Sequence, residues 1–209
     1  FKGNWAIQFD KTKTKDGQFT LLNGAKRKYP MMSQAGRFRY YENDKFQAIS
    51  LPYGAGRMSL YVFLPNKNST LAEFLSSLTA ANWENWMPQL RFAEGNIVLP
   101  RFKLEYEIVL NKALKALGME TAFDPQRANF GEMYAKSPAA NVFIGEVKHK
   151  TFVEVNEEGT EAAAVTSGGM RMTSYAPPFT MTVDRPFFCA IRDNQTGTVL
   201  FMGAIVEPK

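Results

Sequence analysis

The sequence predicts an α+β fold dominated by mixed and antiparallel sheet, and three observations point there. Apolar runs of strand length, rich in aromatic and β-branched residues, recur along the 209 residues, bounded by Gly, Asn, Asp or Pro. Helical periodicity is confined to a few short stretches. Strand runs gather before and after those stretches instead of alternating regularly with them, as a parallel α/β sheet requires.

Trp5–Phe9 reads as the first strand, followed by a polar turn, KTKTKDGQ, with Gly17. RFRYYE, FQAISLPY and MSLYVFLP are three further strands, and Gly54 and Gly56 mark a hairpin between the last two. Thr70 serves as N-cap for a helix over Leu71–Leu78, with Leu71, Phe74, Leu75 and Leu78 on one stripe. Trp83–Leu90 reads as a second short helix, interrupted by Pro88. Asn96–Glu105 returns to strand. The clearest helix is Glu107–Leu117, where Leu110, Leu114 and Leu117 line one face and Gly118 closes the end. Phe123–Ser137 reads as a loop with a short helix. Val142–Val155 is a long strand with His149, Thr151, Val153 and Val155 on one face. Phe179–Val183, Phe187–Arg192 and Thr198–Val206 supply three strands of a second sheet. No internal repeat or linker interrupts the pattern, so one domain over 1–209 is expected.

Composition narrows the function classes. The chain is 45% hydrophobic with a net charge of +5. Lys11, Lys13, Lys15 and the run Lys26-Arg27-Lys28 concentrate the positive charge. Solvated surface charge is the expected reading, with a polyanion or acidic partner as the alternative. No apolar run reaches the roughly 18 residues of a membrane-spanning helix. The single Cys, Cys189, lies in the strand-like FFCAIRD and reads as a buried apolar residue. With one His and one Cys, the chain offers neither a metal set nor a hydrolase triad, and no G-x-S-x-G elbow or phosphate loop occurs. No cofactor is expected. The aromatic residues sit in apolar strand runs and read as core, not as platforms for nucleic-acid bases. Asn68-Ser69-Thr70 and Asn194-Gln195-Thr196 are acceptor sequons, relevant only in a glycosylating compartment.

One stretch stands apart: Glu157–Pro186, EEGTEAAAVTSGGMRMTSYAPPFTMTVDRP. From Gly159 to Gly169 it holds no aromatic, no Pro and one charge, Glu161. At period two, Thr160, Ala162, Ala164, Thr166 and Gly168 share a face on which every side chain is small. A strand slotted between two packed strands needs such a face, because bulk there clashes. The same letters suit a surface helix with Thr160 as N-cap. Loop, helix and strand are therefore all open to it, which is the property of a switch.

The run VNEEGTEAAA (Val155–Ala164), with RPFF (Arg185–Phe188) and LFMGAIVEP (Leu200–Pro208), resembles the serpin family. FKGNW (Phe1–Trp5), YPMM (Tyr29–Met32), VFLP (Val62–Pro65), LPRFKLE (Leu99–Glu105) and LNKALKALGMETAF (Leu110–Phe123) follow in family order. The resemblance is to the C-terminal half to two-thirds of a serpin: the chain opens partway through a family strand. It implies a serpin fold, with a large mixed central sheet that accepts the reactive loop as an extra strand, two smaller sheets, and the N-terminal helices absent. The single domain is then a truncated or miniature serpin, its reactive loop spanning about 157–178.

The resemblance further implies a non-enzymatic suicide substrate of serine endopeptidases, whose cut loop inserts into the central sheet and traps the acyl-enzyme. The hinge is Glu157, Glu158, Gly159, Thr160, Glu161, Ala162, Ala163 and Ala164. Family spacing from Thr160 puts the scissile bond between Thr173 and Ser174, which suits an elastase-like pocket. Counting back from Pro186 favours Tyr175, a chymotrypsin-like choice; Arg171 suits trypsin-like enzymes and Met172 a broad apolar pocket. Trp5, Arg101 and His149 match positions that control opening of the sheet, with Arg101 as the basic partner of Glu157 in a surface pair. The alternatives are a non-inhibitory serpin-fold binding or chaperone-like protein, or a fragment needing an N-terminal chain of the same protein. Polymerisation by loop insertion is a further expectation. The compartment stays open, with an extracellular one preferred.

Overall fold

The computed structural model describes residues 3–133, 141–160 and 178–208, with Thr160 described for its backbone. Two compact units divide them: Phe1–Lys103 with Glu154–Lys209, and Leu104–Val153. Strands dominate and helices are short, the α+β pattern.

In the first unit, β1 (Gly3–Asn4) is followed by a 3₁₀ turn at Lys11–Lys13, β2 (Lys15–Thr20), β3 (Lys26–Glu42), β4 (Phe46–Tyr53) and β5 (Met58–Pro65). Helices α1 (Leu71–Ser77) and α2 (Ala80–Trp86) precede β6 (Arg91–Pro100). Beyond β7 (Phe102–Val109), β8 (Lys148–Val155) and β9 (Gly159–Thr160), the chain ends in β10 (Phe179–Thr182), β11 (Phe187–Asp193) and β12 (Val199–Ile205). One eight-stranded sheet runs in the order β10-β6-β3-β4-β5-β11-β12, with β2 also on β3; β1 and β9 form a two-stranded sheet, as do β7 and β8. The long β3 joins the large sheet together. It pairs with β2 from Met31 back to Lys26, with β6 from Met31 to Tyr40, and with β4 from Arg39 to Glu42.

Three expectations are corrected here. The last three strands do not make a separate sheet: β10 closes one end of the large sheet beside β6, parallel to it, while β11 and β12 close the other. Trp5–Phe9 is not a strand. Trp5 makes one isolated bridge to Tyr53, and the chain then turns, with the Asp10 side chain accepting the Thr12 backbone N–H at 2.9 Å. Both Trp5 and Phe9 are buried, edge to face at 6.1 Å, so apolar spacing imitated a strand. Gly17 lies inside β2 instead of a turn. A Cβ there would meet Met31 Cγ at 2.6 Å, so the missing side chain makes room for Met31 to cross the strand.

One face of β4, β5 and β11 presents Phe46, Ala48, Tyr61, Phe63, Phe188 and Ala190 to the helices. Thr70 caps α1 as expected: its side chain accepts from Glu73 N while Glu73 returns a bond to Thr70 N. Leu71 and Phe74 of α1 are buried, whereas Leu75 is exposed. Thr79 caps α2, which starts earlier than Trp83 and passes into a 3₁₀ turn at Met87–Gln89. Phe46, Phe63, Phe74, Phe188 and Trp86 meet at ring separations of 4.9–6.1 Å. Cys189 is buried, and burial raises its thiol pKa to about 12, which keeps it an inert core group. Asn194 ties the β11–β12 turn down: its amide donates to Gly56 O and Ser59 Oγ and accepts from Tyr61 OH.

In the second unit, α3 spans Asn111–Ala116, shorter than the expected Glu107–Leu117, because β7 keeps its pairing through Val109. Gly118 closes the helix at φ 98°, but Leu117 is 81% exposed and faces no core within the unit. β8 begins at Lys148, not Val142. Asn111 explains the difference. Its amide donates to Gly145 O and accepts from Val147 N, both at 2.8 Å, occupying backbone groups that a strand would have paired.

Candidate functional site

β8 ends at Val155 and the chain reverses over Asn156–Gly159. Asn156 and Gly159 exchange backbone hydrogen bonds at 3.1 and 3.3 Å, and Asn156 Oδ1 accepts the N–H groups of Glu158 and Gly159. Gly159 sits at φ 138°, where L side chains are strained. The chain emerges into β9, antiparallel to β1, with Gly3 opposite Thr160 and Asn4 opposite Gly159. The first two residues of the small-residue stretch are thus in strand conformation.

The segment from Trp5 to Thr14 holds this turn from one side. Trp5 N donates to Glu158 O at 3.0 Å, its indole N–H to Asn156 O at 2.8 Å, and Phe9 N to Glu157 O at 2.9 Å. The Trp5 ring stacks on Tyr53 at 4.4 Å and is buried. Lys11 forms an ion pair with Glu158. From the other side, Arg101 donates through Nε at 2.7 Å and Nη2 at 2.5 Å to Glu157 Oε1, which also accepts the Thr14 hydroxyl at 2.5 Å.

Glu157 is only 2% exposed, so the surface pair expected at this position is instead a carboxylate taken out of water. Burial pushes its pKa up; the hydrogen bonds from Arg101 and Thr14 pull it down further, and the net shift is downward. A depressed folded pKa stabilises the fold above the ordinary carboxylate range, and that stability is lost as the pH falls through the folded value. Arg101→Ala leaves the carboxylate buried with the Thr14 hydroxyl and its own backbone N–H as partners but no counter-charge from Arg101, at an expected cost of about 1–3 kcal/mol near neutral pH. Without Arg101 the carboxyl protonates at higher pH, so the difference between variant and wild type narrows on acidification. Urea midpoints at about pH 7 and about pH 4 check this; equal differences at both would remove the charge argument.

Trp5, Arg101, Glu157, Glu158 and Gly159 are therefore brought together. His149 belongs to the second unit, lies exposed on β8, and has its Nε2 2.8 Å from the Thr151 hydroxyl on its own strand. Glu161, Ala162, Ala163, Ala164, Arg171, Met172, Thr173, Ser174 and Tyr175 lie outside the described residues. Asn156, Thr14, Lys11 and Tyr53 were missed from sequence. The Asn-x-x-Gly spacing of 156–159 is a turn signal that reveals Asn156; the others act across long separations and carry no local mark.

The far end of the stretch is anchored as firmly. Phe179 stacks on Tyr40 at 3.8 Å and pairs with Gly95, where any Cβ would collide with the Phe179 ring. Tyr40 OH donates to Glu42 at 2.6 Å and accepts from Gln47, whose amide also reaches Thr180 O. Met181 and Val183 are fully buried. Two well-held ends, a buried ionic turn and a strand pair, thus lie on either side of the run of small residues.

The family model Serpin (serine protease inhibitor) matches residues 1–208, and the chain belongs to that family. It is 37% identical over 216 residues to the human leukocyte elastase inhibitor, covering 100% of this chain and 56% of that protein. It is 37% identical over 215 residues to Serpin-ZXA of Oryza sativa subsp. japonica, with 100% and 54% covered. Among solved structures, the thermophilic serpin Tengpin in its native state superposes with a TM-score of 0.79 at 32% identity, over 99% of this chain and 53% of that one. Native protease nexin-1 with heparin superposes at 0.83 and 31%, over 100% and 55%. The chain thus spans about half the length of the curated relatives it matches.

Proposed function

We propose that the chain carries the inhibitory machinery of a serine protease inhibitor that acts as a suicide substrate. The observation that carries this reading is the hinge root: a turn clamped by Arg101, Trp5 and Lys11 that leads into a strand pair at Gly159–Thr160. Downstream of it, Gly159–Gly169 holds no Pro and one charge, Glu161, so nothing in the sequence opposes entry into a sheet. The protease serine attacks the loop and forms an acyl-enzyme. Before hydrolysis completes, the cut loop enters the central sheet and carries the enzyme along, distorting its active site. Each ladder hydrogen bond adds a net contribution of about 1 kcal/mol, so roughly ten offset the cost of that distortion. Trp5, Arg101 and Glu157 act as the gate where insertion starts. Thr173–Ser174 is the proposed reactive bond, with Tyr175, Met172 and Arg171 as the competing choices. The human relative's name, leukocyte elastase inhibitor, agrees with the elastase-like preference.

The exposed apolar side chains of the second unit favour an additional covering chain. Tyr106, Ile108 and Val109 on β7, Phe152 on β8 and Leu117 after α3 all face solvent within that unit. An N-terminal segment of the same protein is the proposed cover, and single-domain behaviour is then a property of the covered molecule.

The test is a denaturing gel after incubation with elastase, chymotrypsin, trypsin or subtilisin, with mass spectrometry of each product. A band at the summed mass of chain and protease is the expected result, and the mass of the released C-terminal peptide selects the reactive residue. Cleavage without that band would replace trapping with a substrate-like or non-inhibitory role.

A further inference from the structure

Two guanidinium groups share one exposed aromatic ring on the large sheet. Arg37 and Arg39 alternate onto one face of β3, and Phe92 of β6 is the register partner of Arg39. Their Cζ atoms lie 5.1 and 5.3 Å from the Phe92 ring centroid, and that side chain is 59% exposed. Both arginines are exposed. Elsewhere in the same unit Arg27, Arg57, Arg101 and Arg185 each hold a carboxylate. Among the described residues, neither the Arg37 nor the Arg39 side chain makes a hydrogen bond or ion pair, even though Glu94 lies opposite Arg37 in register.

This arrangement is prepared for an anion. A guanidinium lying against a ring keeps its N–H edges free, and the ring restricts its rotamers, so less entropy is lost when a carboxylate docks. Glu94, opposite Arg37, is the one acidic register partner on this face and forms no ion pair with either guanidinium, so two positive charges share the ring and an acidic partner relieves their repulsion. The patch also lies close to where the reactive loop rejoins the sheet. Phe179 pairs with Gly95, three residues along β6 from Phe92, which is about 10 Å away with one strand spacing of about 4.8 Å between the strands. Tyr175 is four residues before Phe179, at most about 14 Å of chain. The Phe179 ring lies on the Tyr40 face of the sheet, opposite the patch, and a protease catalytic domain about 40 Å across is large enough to reach round the sheet edge to it.

We propose that Arg37, Arg39 and Phe92 form a secondary docking site for the target protease, receiving a carboxylate-bearing surface loop of that enzyme next to its active-site cleft. The inference rests on the inhibitory reading above, and it makes these three residues determinants of which protease is captured quickly. Steering of this kind acts on the association rate and weakens with salt.

Chymotrypsin with its surface amines succinylated, compared with the unmodified enzyme, isolates charge from loop chemistry. The readout is the second-order rate of loss of the intact chain at low and high salt, which counts both trapped and merely cut molecules. Succinylation is expected to speed wild-type consumption at low salt. Arg37→Ala/Arg39→Ala should slow attack by the succinylated enzyme about tenfold and by the unmodified enzyme less than about twofold. Arg37→Lys/Arg39→Lys, which keeps the charges, should retain most of the wild-type rate and its salt dependence. Equal slowing on both enzymes, or a lysine pair as slow as the alanine pair, would overturn the docking site. Absence of the covalent band with charge-dependent consumption intact would overturn trapping alone.

Discussion

Under the proposed mechanism, Thr160→Arg is expected to leave a chain that is cut as a substrate but no longer traps: the covalent band falls by at least about tenfold relative to cleaved chain. Thr160 is the second residue of β9, with its backbone opposite Gly3, and it leads the small-residue face that insertion requires. Burying an unpaired guanidinium there costs several kcal/mol, against about 1 kcal/mol for each ladder bond gained, and about 1.4 kcal/mol already changes the partition tenfold. Insertion is thereby stopped at its first step while the scissile region stays untouched. Thr160→Ser, which keeps a small hydroxyl, should behave as wild type. Covalent complexes at the wild-type ratio with Arg at 160 would sink the insertion mechanism.

Gly159→Ala is expected to be the most damaging small substitution in the hinge root. A Cβ at this position would collide with the Gly3 carbonyl oxygen and come within 2.6 Å of Asn4 Cα and 2.9 Å of Trp5 N, all backbone atoms that cannot swing aside. The left-handed φ of 138° adds its own strain for any L side chain. Together these should cost more than about 3 kcal/mol and separate β9 from β1. Loss of that contact frees Trp5 from its stack on Tyr53, so its fluorescence should shift toward that of a solvated indole. Gly145→Ala, where a Cβ meets open space, is the matched control. An unchanged urea midpoint and emission maximum for Gly159→Ala would show that the root tolerates displacement.

How far the sequence was legible depended on the range of the interaction. Thr70 with Glu73 caps α1 through a local motif, and the apolar runs at 46–53 and 58–65 became β4 and β5 as read. Where one distant residue decided the outcome, local reading failed. Met31 crossing β2 turned an apparent Gly turn into a strand, and Asn111 cut β8 short by occupying the backbone of 145–147. The candidate site followed the same division. Resemblance to serpin motifs picked out Trp5, Arg101 and Glu157, but nothing in the chain around Glu157 signals that its carboxylate is buried. That burial arises from Phe9, Thr14 and Arg101, which lie far from it in sequence.

The way β10 is seated has a mechanical consequence. It runs parallel to β6 with four paired residues, and Met181 and Val183 fix it into the core. A pull directed along the axis of β10 would load these contacts in shear, all at once, instead of peeling them apart singly. The load passes through β6 into β3, whose partners on both sides spread it across most of the sheet. Under the proposed mechanism that load exists only while the loop is intact: once the reactive bond is cut, the acyl-enzyme stays on the hinge side and β10 is left in place in the sheet.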